Sequence, residues 1–231
     1  MTRLETAILT ALTAHKGQVD EDDQPHIIHS LEVMFAVKEA TEIGRSFNFE
    51  FMQKMGFETN VTAIPEQLVQ DLMVAAVLHD VSEDTTHSIE DIRKEFGNFV
   101  ADTVDGVTRR HSDPDCHLLN CQKHAKEFYR DFIYRAAEKP ASKLLKRTDL
   151  LVNLRRTHKI SPKKAKWRDK LEYKYGIALR VLDSPEPTTW EKVSWELNTT
   201  KVDGDWAQKF FMADPNGKKI EVTQAEVDAI R

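Results

Sequence analysis

The run Leu78-His79-Asp80-Val81-Ser82-Glu83-Asp84-Thr85 sets one imidazole and three carboxylates immediately behind the apolar Val74, Ala75 and Leu78. On continuous helical geometry His79 and Glu83 share one face and Asp80 and Asp84 the adjacent one, because residues four apart stack over each other. A neutral imidazole beside a carboxylate is a good donor pair for a divalent ion of the Zn, Mn or Fe kind. Taken alone, the His-Asp pair also fits a solvated helix end whose side chains cap the next turn. Two distant residues strengthen the metal reading. His29 sits one turn into a helix opened by Pro25. Asp149 is flanked by Leu145, Leu150 and Val152, and a carboxylate buried there needs a cation. One His, one His-Asp pair and one further Asp, each on a different helix, offer four N and O donors that can converge inside a helical bundle.

The elements that would position these residues follow from the apolar spacing. Residues 1 to about 184 repeat apolar positions every three and four residues, the period of amphipathic helices. A first helix carries the stripe Leu4, Ile8, Ala11, Leu12 and His15 and stops at Gly17. The acidic loop Val19-Asp20-Glu21-Asp22-Asp23 precedes the Pro25 helix, whose inner stripe reads Ile28, Leu31, Met34, Phe35 and Val37. A third helix runs from Pro65 into His79-Asp80. Ser88 to Asp91 forms a capping box for a short helix ended by Gly97. Further helices are expected over Asn98 to Val107, Cys116 to Glu138, Pro140 to about His158 and Ser161 to Leu182. Residues 44–64, with Phe47, Phe49, Phe51 and Phe57, are too aromatic for a solvated linker and read as a satellite core or a lid.

Beyond Asp183 the pattern changes. Ser184-Pro185-Glu186-Pro187 cannot be helical, Val193, Trp195 and Leu197 alternate, and Asp214-Pro215-Asn216-Gly217 lies between two β-type runs. The expectation is a mainly α chain: a helical bundle over 1–184 and a small β-hairpin appendage over 185–231, closed by a short helix capped at Thr223.

Composition excludes several classes. The 231 residues include 33 Lys+Arg against 38 Asp+Glu, a formal net charge of −5 that argues against indiscriminate binding to nucleic acid or anionic lipid. Two cysteines cannot build a disulfide framework. The longest apolar run, Leu72 to Leu78, falls far short of the ~20 residues of a bilayer span. No secretory signal pattern opens the chain, so the expected compartment is the cytoplasm.

An ordered set of motifs is more specific than any of these features. Ala14-His15-x-Gly17-Gln18, Gln24-Pro25-His26-Ile27-Ile28-His29, Leu78 to Thr85, Phe96-Gly97, Val104-Asp105-Gly106-Val107-Thr108 and Lys146-x-x-Asp149-x-x-x-Asn153-Leu154-Arg155 occur in this order. Over residues 4 to 182 the chain resembles the HD-type hydrolase domain of RelA/SpoT proteins, in particular the small stand-alone hydrolases related to metazoan SpoT homologues. The resemblance implies an all-α HD domain that holds Mn²⁺ and removes 3′-pyrophosphate from (p)ppGpp. It implies His29, His79, Asp80 and Asp149 as metal ligands, and Glu83 and Asp84 as the acidic pair that positions and activates the attacking water. It also implies Arg109, Lys146, Asn153 and Arg155 as contacts to the phosphates or nucleoside. The chemistry is coherent, since a divalent ion acidifies water and offsets phosphoryl charge, a carboxylate can take and return the proton, and Arg and Lys suit phosphate.

Some positions depart from the family pattern. A basic loop after Gly-Gln is replaced by Val19 to Asp23, which repels a polyanion. His26 stands for a Tyr and Ser30 for a Pro beside the first ligand, and Arg147 and Thr148 replace residues next to the last one. These departures leave hydrolysis intact and bear on the base, so a related alarmone such as ppApp is also an expected substrate.

The remaining signals are weaker. His111, Cys116, His117, Cys121 and His124 could hold a structural zinc or could simply form a polar helix face. The basic stretch Lys143 to Arg180 fits a nucleic-acid groove or the solvated face of two helices. The alternatives weighed against the alarmone hydrolase are an HD-type nucleotidase or phosphodiesterase, a non-catalytic nucleotide-binding domain and a nucleic-acid-binding helical module. The expected partners are a nucleotide substrate and a second copy of the chain, joined through the aromatic insertion or the appendage.

Overall fold

The computed structural model describes residues 1–20, 23–42, 65–110, 126–184, 210–213 and 219–222. The chain divides into two units, Met1–Val193 and Ser194–Arg231. Regular structure among the described residues of the first unit is entirely helical.

Helix α1 (Arg3–Ala14) begins at a capping box in which Thr2 accepts from the Glu5 backbone N–H and Glu5 answers on that of Thr2. Then come α2 (Ile27–Glu42), α3 (Glu66–Leu78) and the single turn α4 (Val81–Asp84). Helix α5 (Ile89–Phe96) starts at the expected Ser88–Asp91 capping box. Gly97 ends α5 and starts α6 (Asn98–Val107) at φ +84°, a backbone conformation that disfavours a side chain. Helices α7 (Tyr129–Ala137), α8 (Pro140–Thr157) and α9 (Ala165–Asp183) complete the unit.

Helix α3 is the axis of the bundle. Every residue from Leu72 to His79 is buried, because α1, α2, α6 and α8 pack around it. This C-terminal half of the helix is apolar all round and has no solvent face, whereas Glu66, Gln67 and Gln70 in the first half are exposed. Helices α6 and α8 approach closely at Gly106, where a Cβ would stand 2.0 Å from the Ser142 hydroxyl oxygen.

Three expectations need correction. In α2 the buried residues are His29, Ser30, Val33, Met34, Val37 and Thr41, while Ile28 and Phe35 are 37% and 60% exposed. The inward face is rotated because the imidazole of His29, not the largest apolar side chains, faces the core. In α1, Leu12 points outward and Ala7 takes its place. Residues 126–128 are not helical, and α7 begins at Tyr129 rather than extending from Cys116. Glu127 instead pairs with residue 110: its N–H donates to the Arg110 carbonyl and its carboxylate accepts from the Arg110 N–H.

In the second unit β1 (Phe210–Ala213) pairs antiparallel with β2 (Lys219–Val222), Phe210 opposite Val222. A two-stranded ladder alone is marginal in water, so it does not by itself support an independent β appendage. The aromatic insertion over 44–64, the His111–His124 cluster and the rest of the appendage lie outside the described residues.

Candidate metal centre

Four side chains meet in the bundle beside the C-terminal end of α3. His29 comes from the first turn of α2, His79 and Asp80 from the junction of α3 and α4, and Asp149 from the middle of α8. His29 Nε2 lies 3.2 Å from Asp149 Oδ1 and 3.7 Å from Asp80 Oδ2. His79 Nε2 lies 3.1 Å from Asp80 Oδ2 and 3.7 Å from Asp149 Oδ1. An ion with donor bonds of about 2.1 Å holds neighbouring donors roughly 3.0–3.4 Å apart, so the observed spacing fits a shared divalent cation. His29, His79 and Asp149 are 5%, 2% and 3% exposed, and such burial is costly for ionisable groups without a common counter-ion.

Neighbouring groups orient the donors. His79 Nδ1 lies 2.8 Å from the Ala76 carbonyl, which can only accept, so Nδ1 carries a proton. Without a metal Nε2 holds a second one, because against its burial Asp80 and Asp149 raise the ring well above the ordinary imidazole value, and a bound metal would take that proton's place. Nε2 itself has no hydrogen bond. Asp149 is held at both oxygens: Lys146 Nζ donates to Oδ2 at 2.7 Å and Asn153 Nδ2 to Oδ1 at 2.6 Å. Burial alone would push the Asp149 carboxyl up, but Lys146 and the two imidazoles hold it well below the usual carboxylate range. Burial likewise opposes the charge of Asp80, and His79 and His26 outweigh it, so this carboxyl also stays ionised.

The acidic pair divides. Glu83 is engaged at both oxygens, accepting from the Arg109 N–H at 3.0 Å and from Lys126 Nζ at 2.8 Å. Arg109 is in turn fixed by two bonds to the Glu127 carbonyl, and the end of α6 is clamped by Arg135, which donates to the carbonyls of Asp105 and Thr108. Asp84 reaches solvent at the cavity mouth, yet local burial together with Asp80 and Glu83 pushes its carboxyl up to about 6. A carboxyl poised there can exchange a proton near neutral pH.

Over the donors opens a cavity of about 310 Å³, walled by Glu83, Asp84, Arg109, Lys146, Asn153 and Arg156 together with the face of α9 that carries Lys174 and Tyr175. Arg109, Lys146 and Asn153, three of the four expected substrate contacts, thus line this cavity, and Lys146 and Asn153 are also bound to Asp149. Arg155 is exposed and lies outside this lining; Arg156 is inside it. Lys146, Asp149, Asn153 and Arg156 follow each other at three- and four-residue steps, so they share one helix face and Arg155 does not. That periodicity could have identified Arg156 from sequence. Asp20, from the acidic loop, also lines the cavity and forms an ion pair with Arg156. His26, in the position that departs from the family pattern, stacks on His15 and lies 3.3 Å from Asp80.

Comparison with known proteins agrees with this geometry. The chain is 29% identical over 208 residues to the guanosine-3′,5′-bis(diphosphate) 3′-pyrophosphohydrolase of Aquifex aeolicus, covering 90% of this chain and 24% of that one. It is 28% identical over 197 residues to the bifunctional (p)ppGpp synthase/hydrolase SpoT of Escherichia coli, covering 84% and 24%. The chain thus spans about a quarter of the length of these relatives. A solved structure described as a metazoan ortholog of SpoT that hydrolyses ppGpp superposes with a TM-score of 0.50 at 21% identity, over 87% of this chain and 97% of that one, which bears on the fold. The family model of the HD domain matches residues 54–171, a span that includes His79, Asp80 and Asp149 and to which α2 adds His29. With a His-Asp pair at the end of the central helix, a distant aspartate converging on it and the family model matched over half of its length, this chain belongs to the HD domain family.

Proposed function

We propose that this chain is a divalent-metal-dependent phosphohydrolase that removes 3′-pyrophosphate from (p)ppGpp or a related alarmone such as ppApp, with Mn²⁺ as the metal. The observation that carries the reading is the convergence of His29, His79, Asp80 and Asp149 at metal-donor spacing on the floor of a cavity walled by cations. Relatives named as 3′-pyrophosphohydrolases of the guanosine bis(diphosphate) support the choice of substrate.

When bound, the ion acidifies a water and neutralises phosphoryl charge. The chain's own residues supply the remainder. Asp84, exposed at the cavity mouth, accepts the proton of the attacking water. Glu83, tied to Arg109 and Lys126, holds the wall and keeps the arginine in place. Arg109 and Arg156 meet the phosphates of the substrate, while Lys146 and Asn153 keep Asp149 ionised and aimed. The P–O bond to the nucleoside 3′ oxygen breaks, that oxygen takes a proton, and pyrophosphate leaves with the water's oxygen.

The working division is a catalytic domain over 1–184 and an appendage over 185–231. Self-association runs through residues 44–64 or the appendage. The site of action is the cytoplasm; among the described residues no helix is long and apolar enough to cross a membrane. A second reading, a nucleotidase or phosphodiesterase on another nucleotide, is favoured by one observation: a carboxylate, Asp20, lines the cavity.

The test is product analysis of the Mn²⁺-loaded protein against ppGpp, pppGpp, ppApp, dNTPs, 3′-nucleotides and cyclic dinucleotides, with Asp80→Ala as control. Pyrophosphate from an alarmone, absent in the control, is the expected result. Turnover only of another class moves the second reading ahead.

A further inference from the structure

Asp80 Oδ2 has a third imidazole beside it. His26 Nε2 lies 3.3 Å away, against 3.1 Å for His79 and 3.7 Å for His29. The His26 nitrogen is shut off from solvent and makes no hydrogen bond. Together with Asp84 it completes a second group of donors, His26, Asp80 and Asp84, whose ligand atoms all lie within 4.8 Å of one another, separate from the group of His29, His79 and Asp149. Asp84 has no protein partner either. Among the described residues nothing hydrogen-bonds or ion-pairs with its carboxylate, whereas its neighbour Glu83 is held at both oxygens.

One tether sets both ends of this second group. His15 stacks on His26 with ring centroids 4.3 Å apart and donates from Nδ1 to Gln18 Oε1, and Gln18 Nε2 donates in turn to the Asp84 carbonyl. The Gln18 carbonyl also accepts from the His26 N–H. The same glutamine therefore fixes the backbones of both unshared donors. Around an ion with bonds of about 2.1 Å, donors sit roughly 3.0–4.2 Å apart, and a rotation of the exposed Asp84 side chain closes the remaining gap. One imidazole and two carboxylates suit Mn²⁺ or Zn²⁺. We propose that His26, Asp80 and Asp84 form a second divalent-cation site sharing Asp80 with the first, and that filling it withdraws Asp84 from the attacking water, so that excess metal slows the enzyme. The effect on rate rests on the reading of Asp84 as the proton acceptor; the site itself does not. It is the weaker of the two, because one donor is shared and all three are more exposed than His29, His79 and Asp149. It also accounts for two departures from the family pattern. A metal donor at position 26 in place of Tyr, and the acidic Val19 to Asp23 in place of a basic loop, both favour a cation here.

The test is a Mn²⁺ titration of chelator-stripped wild type, His26→Tyr and Asp84→Asn, each checked for unchanged helical content by circular dichroism. Bound metal is counted after equilibrium dialysis and its electron paramagnetic resonance spectrum recorded. Wild type should take up two ions, the second about tenfold or more weaker than the first, and the two-ion form should show the exchange-coupled signal of Mn²⁺ ions sharing a carboxylate. Both variants should stop at one ion. A single ion in wild type, two uncoupled ions, or a second ion that survives both substitutions overturns the site. The kinetic arm compares wild type and His26→Tyr each with itself, on ppGpp, at one equivalent of Mn²⁺ and at an excess that fills the second site. The excess should slow wild type about tenfold or more, as expected when a proton acceptor is withdrawn, and leave His26→Tyr at its own one-equivalent rate. Chelation of metal by the substrate is common to both proteins and drops out of the comparison. A two-ion wild type that runs as fast as the one-ion form overturns the inhibitory role. A protein that hydrolyses no nucleotide yet binds two coupled ions sinks the substrate assignment and leaves the second site standing.

Discussion

The ammonium of Lys146 lies 2.7 Å from Asp149 Oδ2, one helical turn ahead of it on the same face of α8. Both groups are nearly removed from solvent, with side chains 13% and 5% exposed. Each keeps the other charged: burial opposes the charge on both, Asp149 holds the lysine well above its ordinary range, and Lys146 holds the carboxyl well below its own. The pair gives Asp149 a cation whether or not a metal is bound, so the donor set can fold before it is loaded.

Removing that cation should therefore matter most in the metal-free protein. Lys146→Met leaves a buried carboxylate with Asn153 as its remaining side-chain donor outside the metal cluster. Breaking one side of a buried pair costs about 3–5 kcal/mol. We expect a loss of that order by denaturant unfolding in chelator, and a much smaller one with saturating Mn²⁺, where the metal supplies the missing charge. Equal losses in the two conditions would mean that Lys146 does not act through Asp149.

Arg155 and Arg156 are neighbours in sequence and about 100° apart around α8. The first is exposed and the second lines the cavity beside Asp20. Arg156→Ala should raise KM for the nucleotide about tenfold or more, whereas Arg155→Ala should leave KM and stability within experimental error. Steady-state kinetics of the two variants decides which arginine faces the substrate.

The pH dependence of stability isolates Asp84. Its carboxyl sits at about 6 in the folded chain, above the ordinary carboxylate value, so the folded state holds the proton more tightly than the unfolded one. The stabilising contribution is full below the unfolded value of about 4 and is lost as pH rises through about 6. In chelator, Asp84→Asn should melt higher than wild type at pH 7.5 and at the same temperature at pH 4. A variant less stable than wild type at pH 7.5 contradicts the crowding of Asp84 by Asp80 and Glu83.

How much of this could be read from residues alone depended on how local the signal was. The Ser88 capping box, the stop at Gly97 and the Pro140 start of α8 are decided within one turn, and the structure bears them out. The side chains that converge beside α3 were legible because a His-Asp pair and an aspartate amid leucines are unusual chemistry for a helix core. The inward face of α2 was misread because apolar size competes there with a buried imidazole, and only the other three donors decide in favour of His29. The same limit hid Lys174: its basic stretch looks like a solvated face until α9 packs against α7 and α8 and turns one lysine toward the cavity. The engagement of Glu83 by Arg109 and Lys126 spans 26 and 43 residues of sequence, a distance over which no local pattern reports.

The most direct measurement of the central claim is metal content read beside turnover for Asp80→Ala, Asp149→Ala and Glu83→Ala. The two aspartate variants should keep the helical fold, lose the metal and lose all turnover. Glu83→Ala should keep the metal and slow turnover about tenfold or more, because Arg109 and Lys126 lose the carboxylate that holds them on the cavity wall. Stoichiometric metal and unchanged rates in all three would contradict the assigned centre.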